Sequence, residues 1–433
     1  MGKCQLAIGP AGLILSVGCS CEGLDMRSVI VTTLLIASAS AARGGAWKRH
    51  TIDDSGRGAD GVRLADVNGD GRMDIATGWE GSGHIRVYVN PGPEKSARRW
   101  PAVTVGKVGS PEDAVFADLD GDGATDVVSS CQGRTRTVYV HWAPKDPGRY
   151  LDGNAWKTEP LPVTQGRQQW MFALPMQIDG RGGIDLVVGA KNKGAAIGFL
   201  QSPDRPRDAG AWKFHRLYDA GWIMSLRAVD MDGDGDPDIL SSDRRPRRVL
   251  WLENPGPKAA ATGRKWKLHV IGTTSGEAMF LTAADLDADG RRDVVVAVRA
   301  GDIHYWRATG DRAAPWKLHK IAMPPGCGTG KAVEVGDVNG DGRNDIVFTC
   351  ENARGEKSGV RWLSYDESPT RPAWRDHEIS GPEGVKFDRM ELIDLDGDGD
   401  LDVLTCAETP NLGVFWYENP TKQAPGRTSG RNR

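Results

Sequence analysis

Six copies of one acidic nonapeptide govern the reading of this chain: DVNGDGRMD at 66–74, DLDGDGATD at 118–126, DMDGDGDPD at 230–238, DLDADGRRD at 285–293, DVNGDGRND at 337–345 and DLDGDGDLD at 394–402. A decayed seventh copy, QIDGRGGID, occupies 177–185. Successive copies start 52 to 59 residues apart. Near-constant spacing over most of a 433-residue chain is the mark of a repeat architecture rather than of separate domains.

Each copy has the same neighbours. An alternating run precedes it, such as Val62-Arg63-Leu64-Ala65, and a β-branched run follows, such as Asp293-Val294-Val295-Val296. A third run ends in Glu-Asn-Pro (Val249 to Pro255, Val414 to Pro420), and a fourth opens on tryptophan (Trp266 to Ile271, Trp316 to Ile321). Period-2 patterning between Gly, Pro and Asn punctuation predicts four strands per unit. Seven such units predict an all-β fold, a seven-bladed β-propeller over 46–420 with a central channel. The chain enters with a tryptophan strand, Trp47 to Ile52, and leaves with a third strand, Val414 to Glu418. The N-terminal strand is therefore expected to close the last blade, which removes the open edge of an unclosed array.

The nonapeptide itself suits calcium, a hard cation that takes six to eight oxygen ligands. Oxygens at positions 1, 3, 5 and 9 come from Asp66, Asn68, Asp70 and Asp74; from Asp118, Asp120, Asp122 and Asp126; and from Asp230, Asp232, Asp234 and Asp238. The other three sets are Asp285, Asp287, Asp289 and Asp293; Asp337, Asn339, Asp341 and Asp345; and Asp394, Asp396, Asp398 and Asp402. Glycine at position 6 permits the bend. An EF-hand is excluded: it needs Glu at position 12, where Thr77, Ser129, Ser241, Val296, Phe348 and Thr405 stand here. A metal-free Asp-Gly hairpin is the competing reading, but carboxylates crowded into one turn repel without a cation. About six calcium ions are expected. The seventh loop is expected to be metal-free, with Arg181 standing in for the ion and pairing with Asp179 and Asp185.

Formal charge is −3, and six divalent ions would turn it into +9. The unloaded balance argues against a nucleic-acid binder held by phosphate contacts. The loaded one leaves the rest of the surface basic and makes an anionic partner, an acidic polysaccharide or cell surface, plausible. Residues 26–42 read as a secretory signal peptide: Arg27, an apolar Val29–Ala37 and a small-x-small Ala39-Ser40-Ala41. Residues 1–25 are either an extension upstream of a true start at Met26 or a leader whose Cys19 is lipidated. Both send the protein out of the cytoplasm, secreted or periplasmic, with no transmembrane span. Residues 421–433 read as a disordered basic tail, and a monomer is expected. Cys4, Cys19 and Cys21 fall in the leader. Among Cys131, Cys327, Cys350 and Cys406 no CxxC suggests zinc, and Cys327–Cys350 or Cys350–Cys406 are the candidate disulfides.

The DxDxDGxxD spacing over Trp47–Pro420 resembles the FG-GAP/VCBS repeat family, whose repeats form the propellers of integrin α chains and of bacterial exported proteins. The resemblance implies calcium in the hairpin between the first and second strand. The W-x-x-H and W-x-E-N-P blade pattern is also similar to the propeller part of aldos-2-ulose dehydratase, whose additional cupin region has no counterpart here.

A site emerges by subtracting what repeats. Trp47, Trp100, Trp156, Trp212, Trp266, Trp316 and Trp374 open outer strands, and Trp142, Trp251, Trp306, Trp362 and Trp416 sit in third strands; these are scaffold. Trp79, Trp170 and Trp222 remain, on the face opposite the nonapeptides, where rings could stack on a sugar. His50, His215, His269, His319 and His377 repeat with the outer tryptophans; His84, His141 and His304 do not, and His84 is the candidate general base. Six residues before each nonapeptide stand Asp60, Glu112, Met171, Met224, Met279, Lys331 and Asp388, an asymmetric ring expected to line a hydrated channel mouth. Asp113, Gln169, Glu277, Lys386, Arg389, Arg244, Glu351 and Glu408 lie near it. Two functions follow. One is a non-catalytic binding module for a glycan or an extracellular protein. The other is a lyase or dehydratase acting on carbohydrate, with His84 or a mouth carboxylate (Glu112, Asp388) as base and Lys331, Lys386 or Arg389 stabilising an enolate.

Overall fold

The structure, a computed structural model, describes residues 45–260, 264–310 and 315–422. The leader 1–25 with its cysteines, the signal segment 26–42, and the tail from 423 onward lie outside the described residues.

Seven four-stranded antiparallel sheets form the propeller. Six are built from consecutive strands, as in blade 1 with Ala59–Ala65, Asp74–Trp79, His84–Tyr88 and Ala102–Lys107. The seventh orders Lys386–Ile393, Asp402–Thr409, Gly413–Glu418 and then Lys48–Asp53. His50 lies opposite Trp416 and Lys48 opposite Glu418, so the N-terminal strand closes the ring as the strand order requires. The first two residues of the expected tail are described and bonded to the blade: the Thr421 amide donates to Asn419 and the Lys422 amide to Asp400.

The repeated aromatics are packing. His50 stacks on Trp416 at 4.5 Å, His269 on Trp251 at 3.9 Å and His377 on Trp362 at 3.7 Å between ring centroids. Each pair ties an outer strand to the third strand beside it, with the stacking energy that flat rings supply. The ninth residue of every nonapeptide is a clip. Its carboxylate accepts the amide of the second residue in all seven copies, for instance Val67 to Asp74 at 2.9 Å. In six copies it also accepts an amide at or just past the end of the third strand, for instance Asn90 to Asp74 at 2.7 Å. Asp185 keeps both bonds in the decayed copy, so this position serves the blade whatever the loop holds.

Every blade also carries a register shift between its first and second strands. In blade 1 Asp60 faces Gly78 while Arg63 faces Ala76, so Gly61 and Val62 stand against Thr77, two residues against one. A bulge of this kind reverses the alternation once. It brings positions six and three before the nonapeptide to the same side of the strand.

Candidate functional site

The hairpin face repeats itself. Asp66 accepts the amides of Gly69 (2.8 Å) and Asp70 (3.1 Å) on one oxygen and of Gly71 (2.8 Å) on the other, and Asp337 does the same with Gly340, Asp341 and Gly342. Gly71 has φ of 81° and Gly342 of 84°, so a side chain at position 6 would be strained. Carboxylate oxygens converge within 4.8 Å in the sets Asp118/Asp120/Asp122, Asp230/Asp232/Asp234 and Asp285/Asp287/Asp289. Asp120 and Asp287 each keep one buried oxygen with no hydrogen-bond partner. Hard oxygens, three to a loop and partly unpartnered, fit a calcium ion. Arginines share some of them: Arg207 pairs with Asp120 and, at 3.0 Å, Asp122, while Arg307 pairs with Asp287 and, at 2.7 Å, Asp289.

The decayed loop closes differently from the expectation. Arg181 is exposed and makes no ion pair to Asp179 or Asp185 among the described residues. Instead the Gln177 amide donates to the carbonyl of Gly183 at 2.9 Å, and its oxygen accepts the Gly180 amide at 3.0 Å. Gly183 holds position 7 of the nonapeptide, whose carbonyl would be a backbone ligand in a calcium-loaded copy. A neutral N–H donor closes this loop, while Asp179 is occupied by Gln201 at 2.5 Å.

The opposite face does not repeat. The ring of Asp60, Glu112, Met171, Met224, Met279, Lys331 and Asp388 is a closed plug: all seven residues are buried, none more than 9% exposed. The hydrated mouth expected of these residues is thus corrected, because the methionines fill the ring and the charges pair across blades. Lys191 of blade 3 meets Glu112 of blade 2 at 2.9 Å. Lys331 of blade 6 meets Asp388 of blade 7 at 2.8 Å. Arg244 of blade 4 meets Glu277 of blade 5 at 2.7 Å. Arg299 joins Glu277 to Glu351, and Lys386 pairs with Glu408. Asp60 has an oxygen within 4.8 Å of Asp388 and Glu408 on one side and of Glu80 and Glu112 on the other. Burial first, then Asp388, Glu112 and Glu408, push its carboxyl well above the usual carboxylate range. Burial opposes the Lys331 ammonium, but Asp388, Asp60 and Glu408 outweigh it and raise its pKa. Burial likewise opposes ionised Asp388, and Lys331 prevails to hold it low.

A second charged layer lies three residues further along. Arg63 grips Asp113 through two bonds of 2.9 and 2.8 Å, Arg227 pairs with Glu334, and Arg389 meets Glu391 at 3.2 Å. Burial, with Arg63 and Arg227 nearby, presses Arg389 down to about 10. Arg63, Arg227, Glu334 and Glu391 escaped the sequence reading because simple alternation puts them on the wrong side; the bulge is the missing signal. Asp113 and Arg389 belong to this layer rather than to a mouth.

The remaining candidates separate. Trp79 and Trp170 are fully buried, donating to the Tyr88 hydroxyl at 2.9 Å and the Thr164 carbonyl at 3.1 Å, so neither presents a ring to a ligand. Trp222 is half-buried, ringed by Arg244, Lys191 and Arg245 at 4.3, 4.9 and 5.4 Å from its centroid. His84 opens a third strand, two strands out from the channel, and its charged surroundings are Lys107, Arg86 and Asp53 rather than the central carboxylates. His141 is buried between Ser129 and Thr158, and burial lowers it to about 3. Cys131, Cys327, Cys350 and Cys406 are free, buried thiols; Cys327 and Cys350 touch through a thiol hydrogen bond but are not bonded.

A seven-bladed β-propeller with acidic hairpins on one face and an asymmetric charged plug on the other defines the class. A family model described as FG-GAP-like repeat matches residues 66–129 and 285–348, so the chain carries FG-GAP-like repeats. No curated protein matches it. Among solved structures, one similar fold is BBS1N in complex with ARL6DN, soaked with lead: 13% identity, 87% of this chain, 98% of that one, TM-score 0.52. Another is Sqt1 of Saccharomyces cerevisiae, at 10% identity over 87% of this chain and 100% of that one, TM-score 0.52. At these identities the likeness concerns the fold. No helix among the described residues is long and apolar enough to cross a membrane.

Proposed function

We propose that this chain is an exported binding module whose propeller is stabilised by about six calcium ions and whose ligand, a glycan or an extracellular protein, docks on the face opposite the calcium hairpins. The carrying observation is the difference between the two faces. The hairpin face repeats one chemistry around the ring, as a scaffold does. The opposite face sets different charges at each blade and ties them across blades 2–3, 4–5 and 6–7. Buried charge pairs are poor stabilisers compared with apolar packing, so their presence points to a face shaped for recognition. Export rests on the 26–42 segment and calcium on the nonapeptide chemistry. The test is a glycan array and an extracellular-protein screen with calcium-loaded protein, repeated with Lys386→Ala and Glu408→Ala. Binding unaffected by both variants and lost by changes on the hairpin face would reverse the assignment of faces.

A lyase or dehydratase is the second reading, favoured by Asp60, a buried carboxyl whose pKa burial and the neighbouring carboxylates raise, with the Lys331 ammonium among its charged neighbours. Such chemistry needs the plug to open, because both groups are buried. Absorbance of unsaturated product from acidic polysaccharides tests it, with Asp60→Asn as the inactive control.

A further inference from the structure

The turn between the second and third strands of blade 4 reads Asp243-Arg244-Arg245-Pro246-Arg247-Arg248. It lies on the face opposite the calcium hairpins and is rigidly set. The buried Asp243 carboxylate accepts the amides of Gly221 (2.9 Å) and Trp222 (2.7 Å), and the Arg244 amide donates back to the Trp222 carbonyl at 2.8 Å. On the other side the Arg247 carbonyl accepts the Thr274 amide at 2.8 Å, and the Arg247 guanidinium reaches the Ser275 carbonyl at 3.4 Å. Trp222 gathers Arg244, Arg245 and Lys191 around one indole. Glu277 answers Arg244 and Glu112 answers Lys191. Arg245, Arg247 and Arg248 are exposed and have no carboxylate partner among the described residues. The Trp222 indole N–H is also unpartnered.

We propose that this hairpin and Trp222 form the grip for an acidic polysaccharide, a chain of uronate or sulfated sugars; the inference rests on the binding-module reading and names its ligand class. Guanidinium forks match carboxylate and sulfate geometry and bind them with charge-assisted hydrogen bonds. The hairpin backbone that carries them is fixed before binding, which limits the ordering cost. A protein partner could use Trp222 and the arginines as anchors, but it would bury them within a larger, water-excluding patch. The exposed large hydrophobic residues among those described are Met73, Leu151, Leu268 and Val270, none of them on this hairpin. An anionic glycan needs no such patch.

Titration calorimetry of calcium-loaded protein with hexagalacturonate, dextran sulfate, maltohexaose and polyglutamate separates the outcomes. Uronate or sulfate binding should weaken as salt rises and fall by roughly tenfold or more in Arg245→Ser/Arg247→Ser, two exposed positions whose loss leaves the fold intact. Arg72→Ser on the opposite face should bind as the parent does. Equal affinity in the double variant, or no binding of either anionic glycan, overturns the proposal. So does polyglutamate binding as tightly as uronate, which indicates an acidic protein partner. Maltohexaose binding that survives the double variant leaves the loop-face module standing and removes only this ligand class.

Discussion

Asp60 and Lys331 show how burial changes what a charged residue is worth. As solvated groups at a channel mouth they would cost little to remove. Buried and surrounded by Asp388, Glu112, Glu408 and Glu80, they are coupled to the ring. Lys331→Met strands Asp388 beside Asp60, and breaking a buried pair in this way should destabilise by about 3–5 kcal/mol. Adding Asp388→Asn should restore much of the melting temperature, whereas equal melts for parent and Lys331→Met would mean the pair is solvated after all. Asp60 gives a pH signature. Its folded pKa is raised above the unfolded value, so its contribution is fully present below about pH 4 and is lost as pH rises through the raised pKa. Asp60→Asn should therefore flatten the fall in melting temperature toward neutral pH and melt higher than the parent there. Parallel curves would show that Asp60 ionises freely in the fold.

At the scale of a single element, the blade-3 loop is closed by an amide. Gln177→Ala removes the bonds to Gly183 and Gly180 and should cost about 1 kcal/mol with no change in calcium content. Gln177→Asp with Arg181→Asp recreates the ligand set and should add one calcium per chain by metal analysis; an unchanged count would mean that the loop backbone, not its side chains, decides occupancy. The closing strand offers a second check. Removing residues through Asp53 unpairs Gly413–Glu418 and exposes an edge. Light scattering should then report aggregation or pairing between copies, and a stable monomer would show that the closure contributes little.

On the proposed reading, calcium would act on the whole molecule through many small clamps. Each hairpin joins two strands of one blade, so excess chelator should lower the melting temperature broadly. Asp120→Ala should lose about one ion and soften the melt while leaving ligand binding on the far face nearly intact. Loss of ligand binding with stability untouched would mean that this hairpin meets the ligand directly. A melt that ignores chelator, with no calcium found by elemental analysis, would remove the metal from the account.

Blade number, strand order and closure were legible in the residues, because each depends on local spacing: a nonapeptide between two strands, and tryptophan at a fixed offset. The hairpin oxygens were legible for the same reason, since all of them come from one turn. The channel was not. Whether Asp60 faces water or Lys331, and whether Arg63 reaches Asp113, depends on seven first strands converging and on a bulge in each that reverses the alternation. The basic hairpin lay in plain view as Arg-Arg-Pro-Arg-Arg, but its meaning came from Trp222 and Lys191, distant in sequence, meeting it in space. Sequence by itself determined what recurs, because repetition is written locally. Tertiary structure decided which charges are paired and which are left exposed, because pairing across blades joins residues far apart in the chain, 50 positions for Arg63 and Asp113 and 79 for Glu112 and Lys191.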